Sequence, residues 1–307
     1  MITKLITEFL TGEPVPTFAP IRRAARKPDE RTAPLGEDGS VESLAELRAR
    51  RAFECRLVPD RALRTLDEAD AFLRGRGLLT RTTDCALPSL YEACHDDPYR
   101  PGRPGFATWP AGKWPWFGEL AGRGYLITGV HRGKNLLVSG DAAALLNPIC
   151  LAEIERMRAS DGGWRRLLDH LAVVGPSGID DLRTELRLKR QELKALRVPL
   201  ERCGAIVSRS LEVTAGAREQ RASVLARWDQ AYPAGAGTGA DPARALGDLV
   251  VAGVRAAVVA PEAGPRRWFS WQWYWTGTLI DELVRQGRLR RVDGHLAAPG
   301  SDGSPPG

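Results

Sequence analysis

The stretch LRLKRQELKALRVPLERCGAIVSR, Leu186 to Arg209, sets seven basic side chains (Arg187, Lys189, Arg190, Lys194, Arg197, Arg202, Arg209) against two acidic ones (Glu192, Glu201). Apolar residues recur between the charges, so one side can face a core while the other needs an anionic partner or water. Its neighbours decide the fold. WRRLLDHLAVVG reads as an amphipathic helix and PSGIDDLRTELR as a turn with a short helix. LKRQELKALRVPLERCG is a third helix, and AIVSRSLEVTAG has strand character. Three tightly joined helices followed by extended chain outline a winged helix-turn-helix, with Leu188 to Arg202 in the place of the recognition helix. Pro199 is expected to kink that helix or end it early, and Arg218 to Trp228 reads as a further helix.

Upstream, Thr65 followed by Glu68 forms the capping-box pattern of a helix start, and Gly75 and Gly77 offer ways to end that helix. CALPSLYEACHDDPYRPGRPGFATWPAGKWPWFGEL alternates aromatic residues with prolines and reads as a rigid, irregular surface. GYLITGVHRGKNLLVSG reads as two strands turning at His131-Arg132-Gly133-Lys134, and Asp141 to Arg158 as a helix that Pro148 starts or interrupts. Downstream, Asp241 caps and Pro242 starts a long apolar helix. Gly287 ends a later helix, and Asp293-Gly294 is a two-residue hairpin signal.

The expected fold class is therefore α+β, with tandem winged helix-turn-helix units around a small central β-rich region. The expected divisions are an arm and linker over 1–40, a first helical or winged unit over 41–100, and an aromatic-rich, β-rich block over 101–160. A second winged unit follows over 161–232, a C-terminal one over 241–298, and a disordered tail over 299–307.

At 307 residues, 43% hydrophobic and 27% charged, the composition is that of a globular protein rather than a disordered one. There is no run of eighteen apolar residues to span a bilayer, and MITKLITEFLTGEPVPTF lacks the core of a secretory signal. Five widely spaced cysteines make a poor disulfide framework. A cytoplasmic monomer without membrane contact is expected.

The surplus of positive charge is partitioned. Leu186 to Arg209 has a net +5, and the block holding Arg266, Arg267, Arg285, Arg288, Arg290 and Arg291 is the second concentration, while the whole chain has only +6. On the central helix Lys189, Arg190, Lys194 and Arg197 suit phosphates and Gln191 suits a base edge; Arg288, Arg290 and Arg291 suit a neighbouring backbone. A protein-interaction scaffold with solvated or salt-bridged basic faces is the competing reading. Trp114, Trp116, Trp271 and Trp273 are either stacking platforms for bases or the closure between small domains. His131, Arg132 and Lys134 share a tight turn that suits a phosphate, and an ordinary basic hairpin explains them equally well.

Catalytic signals are sparse. Cys85 and Cys94 are nine residues apart with no CxxC partner, which disfavours a metal, and no nucleotide-cofactor motif is present. Over about Ser43 to Ala297, the chain resembles the winged-helix DNA glycosylases that excise crosslinked or bulky alkylated bases, the YcaQ or AlkZ family. RTLDEADAFLRGRGLLTRTTDCALPSLYEAC, FATWPAGKWPWFGEL and LLDHLAVVGPSGIDDLRTEL carry the resemblance. It implies three winged units gripping double-stranded DNA, intact or damaged, and hydrolysis of an N-glycosidic bond with no metal or organic cofactor. The family's Gln-x-Gln or Gln-x-Asp motif aligns with Thr80-Arg81-Thr82, where neither glutamine nor carboxylate stands. Asp84, on the same strand face as Thr80 and Thr82 if the strand continues, becomes the candidate acid or base. A DNA-binding or lesion-sensing protein without chemistry is the alternative.

Overall fold

The computed structural model describes residues 42–95, 111–160, 162–215, 218–233 and 241–299. The expected arm over 1–40 and residues 300–307 of the expected tail lie outside them. All elements below belong to the unit that begins at Leu44.

α1 (Leu44–Glu54) packs its buried Leu47 against Val258, Val259 and Ala297, and the first winged unit opens with α2 (Leu66–Arg76). Thr65 and Glu68 close their capping box, and Gly77 ends α2 at φ 79°. β1 (Leu78–Thr80) follows directly, then α3 (Leu90–Ala93) and α4 (Trp116–Gly122). These two helices lie within the proline-rich block expected to be irregular, and correct that expectation. Ser89 accepts from the Glu92 amide to start α3, and Pro115 precedes the first turn of α4, where a missing N–H costs nothing. β2 (Leu126–His131) and β3 (Lys134–Val138) form the wing, in an antiparallel sheet of order β1-β3-β2. Because Leu78 pairs with Val138, the 41–100 and 101–160 blocks share one sheet, and the central β-rich region is this unit's wing.

α5 (Gly140–Ser160) is a continuous helix despite Pro148 and links to the second unit. That unit comprises α6 (Gly162–Val174), β4 (Ser177–Gly178), α7 (Ile179–Glu185), α8 (Arg190–Cys203), β5 (Ile206–Ala215) and β6 (Arg218–Arg227). α8 is the expected recognition helix. It runs past Pro199; Ala195, whose carbonyl loses its donor to the proline, is exposed. The expected helix over Arg218 to Trp228 is instead β6, paired along its whole length with β5 in a sheet of order β4-β6-β5. A full-length antiparallel partner outweighs the weak local preference of such residues for helix. Only α9 (Trp228–Ala231) at its end is helical.

The third unit repeats the plan. Asp241 accepts from the amides of Ala243 and Arg244 to cap α10 (Pro242–Ala257). β7 (Val259–Pro261), two 3-10 turns (Pro265–Arg267 and Gln272–Tyr274), α11 (Leu279–Arg285), β8 (Arg290–Val292) and β9 (His295–Ala297) complete it. Asp293 and Gly294, at φ 46° and 72°, make the hairpin turn, and the sheet order is β7-β9-β8. In all three sheets the strand after the first long helix lies at an edge beside the last strand.

One core runs from β2 and β3 through α5, α6, α8 and α10 to Trp268 and Trp271. α8 lies on β2 so closely that a Cβ on Gly129 would come 2.9 Å from the Glu201 carbonyl oxygen. The third unit is fastened to α5 through Glu153, which is 0% exposed. Its carboxylate accepts from Arg156, from the Trp273 indole at 3.0 Å and from the Tyr274 hydroxyl at 2.9 Å.

Candidate functional site

The β2–β3 turn has Arg132 at φ 56° and Gly133 at φ 81°, the paired left-handed conformation of a tight hairpin, which glycine adopts without strain. The polar heads of this turn, expected to suit a phosphate or to form an ordinary basic hairpin, all meet Asp84. His131 is 1% exposed; its Nδ1 lies 2.5 Å from the Trp268 carbonyl oxygen and its Nε2 2.9 Å from Asp84 Oδ1. Two oxygens thus face the two ring nitrogens. Arg132 also approaches Nε2 at 3.3 Å, but the ionised carboxylate is the stronger partner. Asp84 Oδ2 accepts from Arg132 at 2.7 Å and from Lys134 Nζ at 2.5 Å.

Burial alone would raise the Asp84 pKa, but the bonds from Lys134 and His131, with the charges of His131 and Arg132, outweigh it and hold the carboxyl at about 2. So weak a base takes a proton poorly at neutral pH, yet it stays anionic and can orient water or face a cationic sugar. The carboxylate opens on a cavity of about 320 Å³ whose walls include Arg81, Thr82, Lys134 and Asn135. β1 ends at Thr80, and the bend that follows carries Asp84, so the alternation expected from an extended strand stops there. Thr80 lines the cavity, but its hydroxyl is buried and donates to the Pro88 carbonyl at 3.2 Å.

Asp84, Cys85 and His131 bring possible metal-ligand atoms within 4.8 Å of one another. The carboxylate is already bonded to two cations, and burial pushes the Cys85 thiol up to about 12, so the cluster is an ion network rather than a set of available donors. The same network has a stability signature. Asp84 is held below its unfolded value of about 3.9, so its contribution is full above that pH and is lost as pH falls through about 2. Partial solvation keeps this to about 1 kcal/mol. Thermal melts of Asp84→Asn should therefore fall less steeply than wild type between pH 5 and 2, roughly the span of the two pKa values; parallel curves would show that the network adds nothing.

At the N-cap and along α8, Lys189, Arg190, Gln191 and Lys194 are exposed, while Arg197 pairs with Glu201 at 3.4 Å. The far end of α8 meets the wing turn: Arg202, Glu201 and Val198 share with Gly133 and Asn135 a second cavity of about 140 Å³. The C-terminal arginines are more neutralised than their local charge implies. Arg288 pairs with Asp248 at 2.6 Å, and Arg291 bridges Glu262 at 2.8 Å and Asp281 at 2.5 Å. Arg266 bonds Gln272, Arg267 is exposed, and Arg290 is half-buried.

No family model and no curated protein matches the sequence. Among solved structures, the Streptomyces sahachiroi DNA glycosylase AlkZ is similar over 83% of this chain and 69% of its own, at a TM-score of 0.52 and 16% identity. The chain has the AlkZ fold. At that identity the likeness is one of architecture, and the tandem winged units of the AlkZ fold are those the sequence resemblance implied. Among the described residues no helix is long and apolar enough to cross a membrane.

Within this AlkZ fold the four tryptophans divide. Trp271 is buried and its indole donates to the Cys203 carbonyl at 2.9 Å, so it closes the joint between units and cannot serve as a base platform. Trp273 reaches solvent but is tied to Glu153 and lies under Arg156, 4.3 Å away. Trp116 is half-buried beside Lys113. Trp114 is 41% exposed, stacked on Tyr91 at 4.8 Å, with the Arg81 guanidinium 4.0 Å over its ring. Sequence reasoning did not select Arg81, Asn135, Glu153 or the Trp268 carbonyl. Arg81 carried a faint signal as the middle residue of Thr-Arg-Thr; the others carried none.

Proposed function

We propose that the chain binds duplex DNA and hydrolyses the N-glycosidic bond of an alkylated or crosslinked base at the Asp84 cavity. The supporting observation is the meeting of three features at one place: an anionic side chain, an open cavity, and the cationic wing turn that adjoins α8. The exposed face of α8, with Lys189, Arg190, Gln191 and Lys194, lies along the major groove, while Arg132 and Lys134 approach the backbone. Asp84 acts by charge, stabilising the cationic sugar and positioning water, because a carboxyl held at about 2 is a poor proton acceptor. No cofactor enters the reaction. The AlkZ fold adds weight to this reading.

That same low basicity, with threonines at 80 and 82, favours one second reading, a lesion-binding protein without chemistry. The two separate in one experiment, a pooled set of alkylated and crosslinked duplexes scored for abasic sites. Excision is expected from wild type and a loss of about 100-fold or more from Asp84→Asn. Salt-sensitive duplex binding with no abasic product would leave only the second reading. Binding that does not weaken between about 50 and 200 mM salt would remove both.

A further inference from the structure

We infer that the β2–β3 turn is a phosphate site occupied from within: Asp84 sits where a DNA backbone phosphate docks, so engaging a duplex exchanges carboxylate for phosphate at Arg132 and Lys134. This rests on the DNA-binding reading above. Two cations of one turn converge on a single oxygen, Oδ2, at 2.7 and 2.5 Å, and His131 holds the other at 2.9 Å. Charged donors converging on a compact anion are what recognises phosphate. The carboxylate does not exhaust those donors, because Arg132 Nε is buried with no acceptor. Exposure divides the cluster into a part that can exchange and a part that stays. Lys134 is 56% exposed and Arg132 half-buried, whereas His131 is sealed and anchored on the Trp268 carbonyl. When a phosphate draws off Lys134 and Arg132, Asp84 keeps His131 alone and gains negative character in the cavity. Docking would thus free the carboxylate to act by charge, and the free protein would hold it masked.

The test is duplex affinity, with unmodified DNA, for wild type, Asp84→Asn, Asp84→Ser, Lys134→Gln and the Asp84→Asn/Lys134→Gln double variant, each checked for folding by its melting curve. Removing the internal competitor should tighten binding about tenfold at low salt and steepen the salt dependence by about one phosphate contact. The loss caused by Lys134→Gln should be larger in the Asp84→Asn background than in wild type. Folded Asp84→Asn or Asp84→Ser binding no tighter than wild type overturns the exchange but leaves the DNA-binding reading standing. A wild type that does not bind duplex at all overturns both.

Discussion

Glu153→Ala should lower the free energy of unfolding by about 3 kcal/mol, the lower end for breaking a buried ion pair. Glu153 is 0% exposed within α5, and its two oxygens gather Arg156, the Trp273 indole and the Tyr274 hydroxyl. Alanine would strand three donors at once. The Arg156 side chain is 41% exposed and regains water, which keeps the cost from the upper end of the range. Glu153→Gln, which keeps the shape and one acceptor, should cost less, about 1 to 2 kcal/mol. Urea unfolding of the two variants measures the difference, and a loss under about 1 kcal/mol for alanine would mean that the clasp contributes little.

Gly204→Val is expected to be of similar size for a different reason. Gly204 ends α8 in the left-handed region at φ 82°, and a Cβ there would lie 2.6 Å from Cys150 Sγ and 3.0 Å from Val130. A branched side chain adds a backbone penalty of about 1 to 2 kcal/mol to an overpacking cost of about 1 to 3. Gly204→Ala should show both in milder form. Adding Cys150→Ala to it should recover the steric part and leave the backbone part. If the second substitution recovers nothing, crowding against α5 is not what makes the glycine necessary. Either change also loosens the seat of α8 on β2, so duplex affinity should fall with stability.

Where chemistry was local, the chain was legible. Thr65 with Glu68, Asp241 with Pro242, and Asp293-Gly294 each state their structure within four residues, and all three were found where their patterns put them. α8 was legible from its amphipathic pattern and its place after two shorter helices. β6 was not, since its strand state depends on pairing with β5. α3 and α4 had local caps, but the density of prolines around them hid short helices inside an apparently irregular block. At the site, Asp84 could be singled out, but its partners lie 47 to 50 residues away, and only the folded wing shows that they neutralise it. Arg288 and Arg291 looked available for the same reason: Asp248 and Glu262 stand 40 and 29 residues off.

One imidazole joins two of the three winged units, because one ring nitrogen of His131 bonds Asp84 beside the first sheet and the other bonds the main chain of Trp268 in the third unit. Hydrogen bonds weaken sharply over about half an ångström of stretch. The ring therefore ties the Asp84 cavity to the third unit: any shift of that unit away from the first sheet must slacken one of its two tethers.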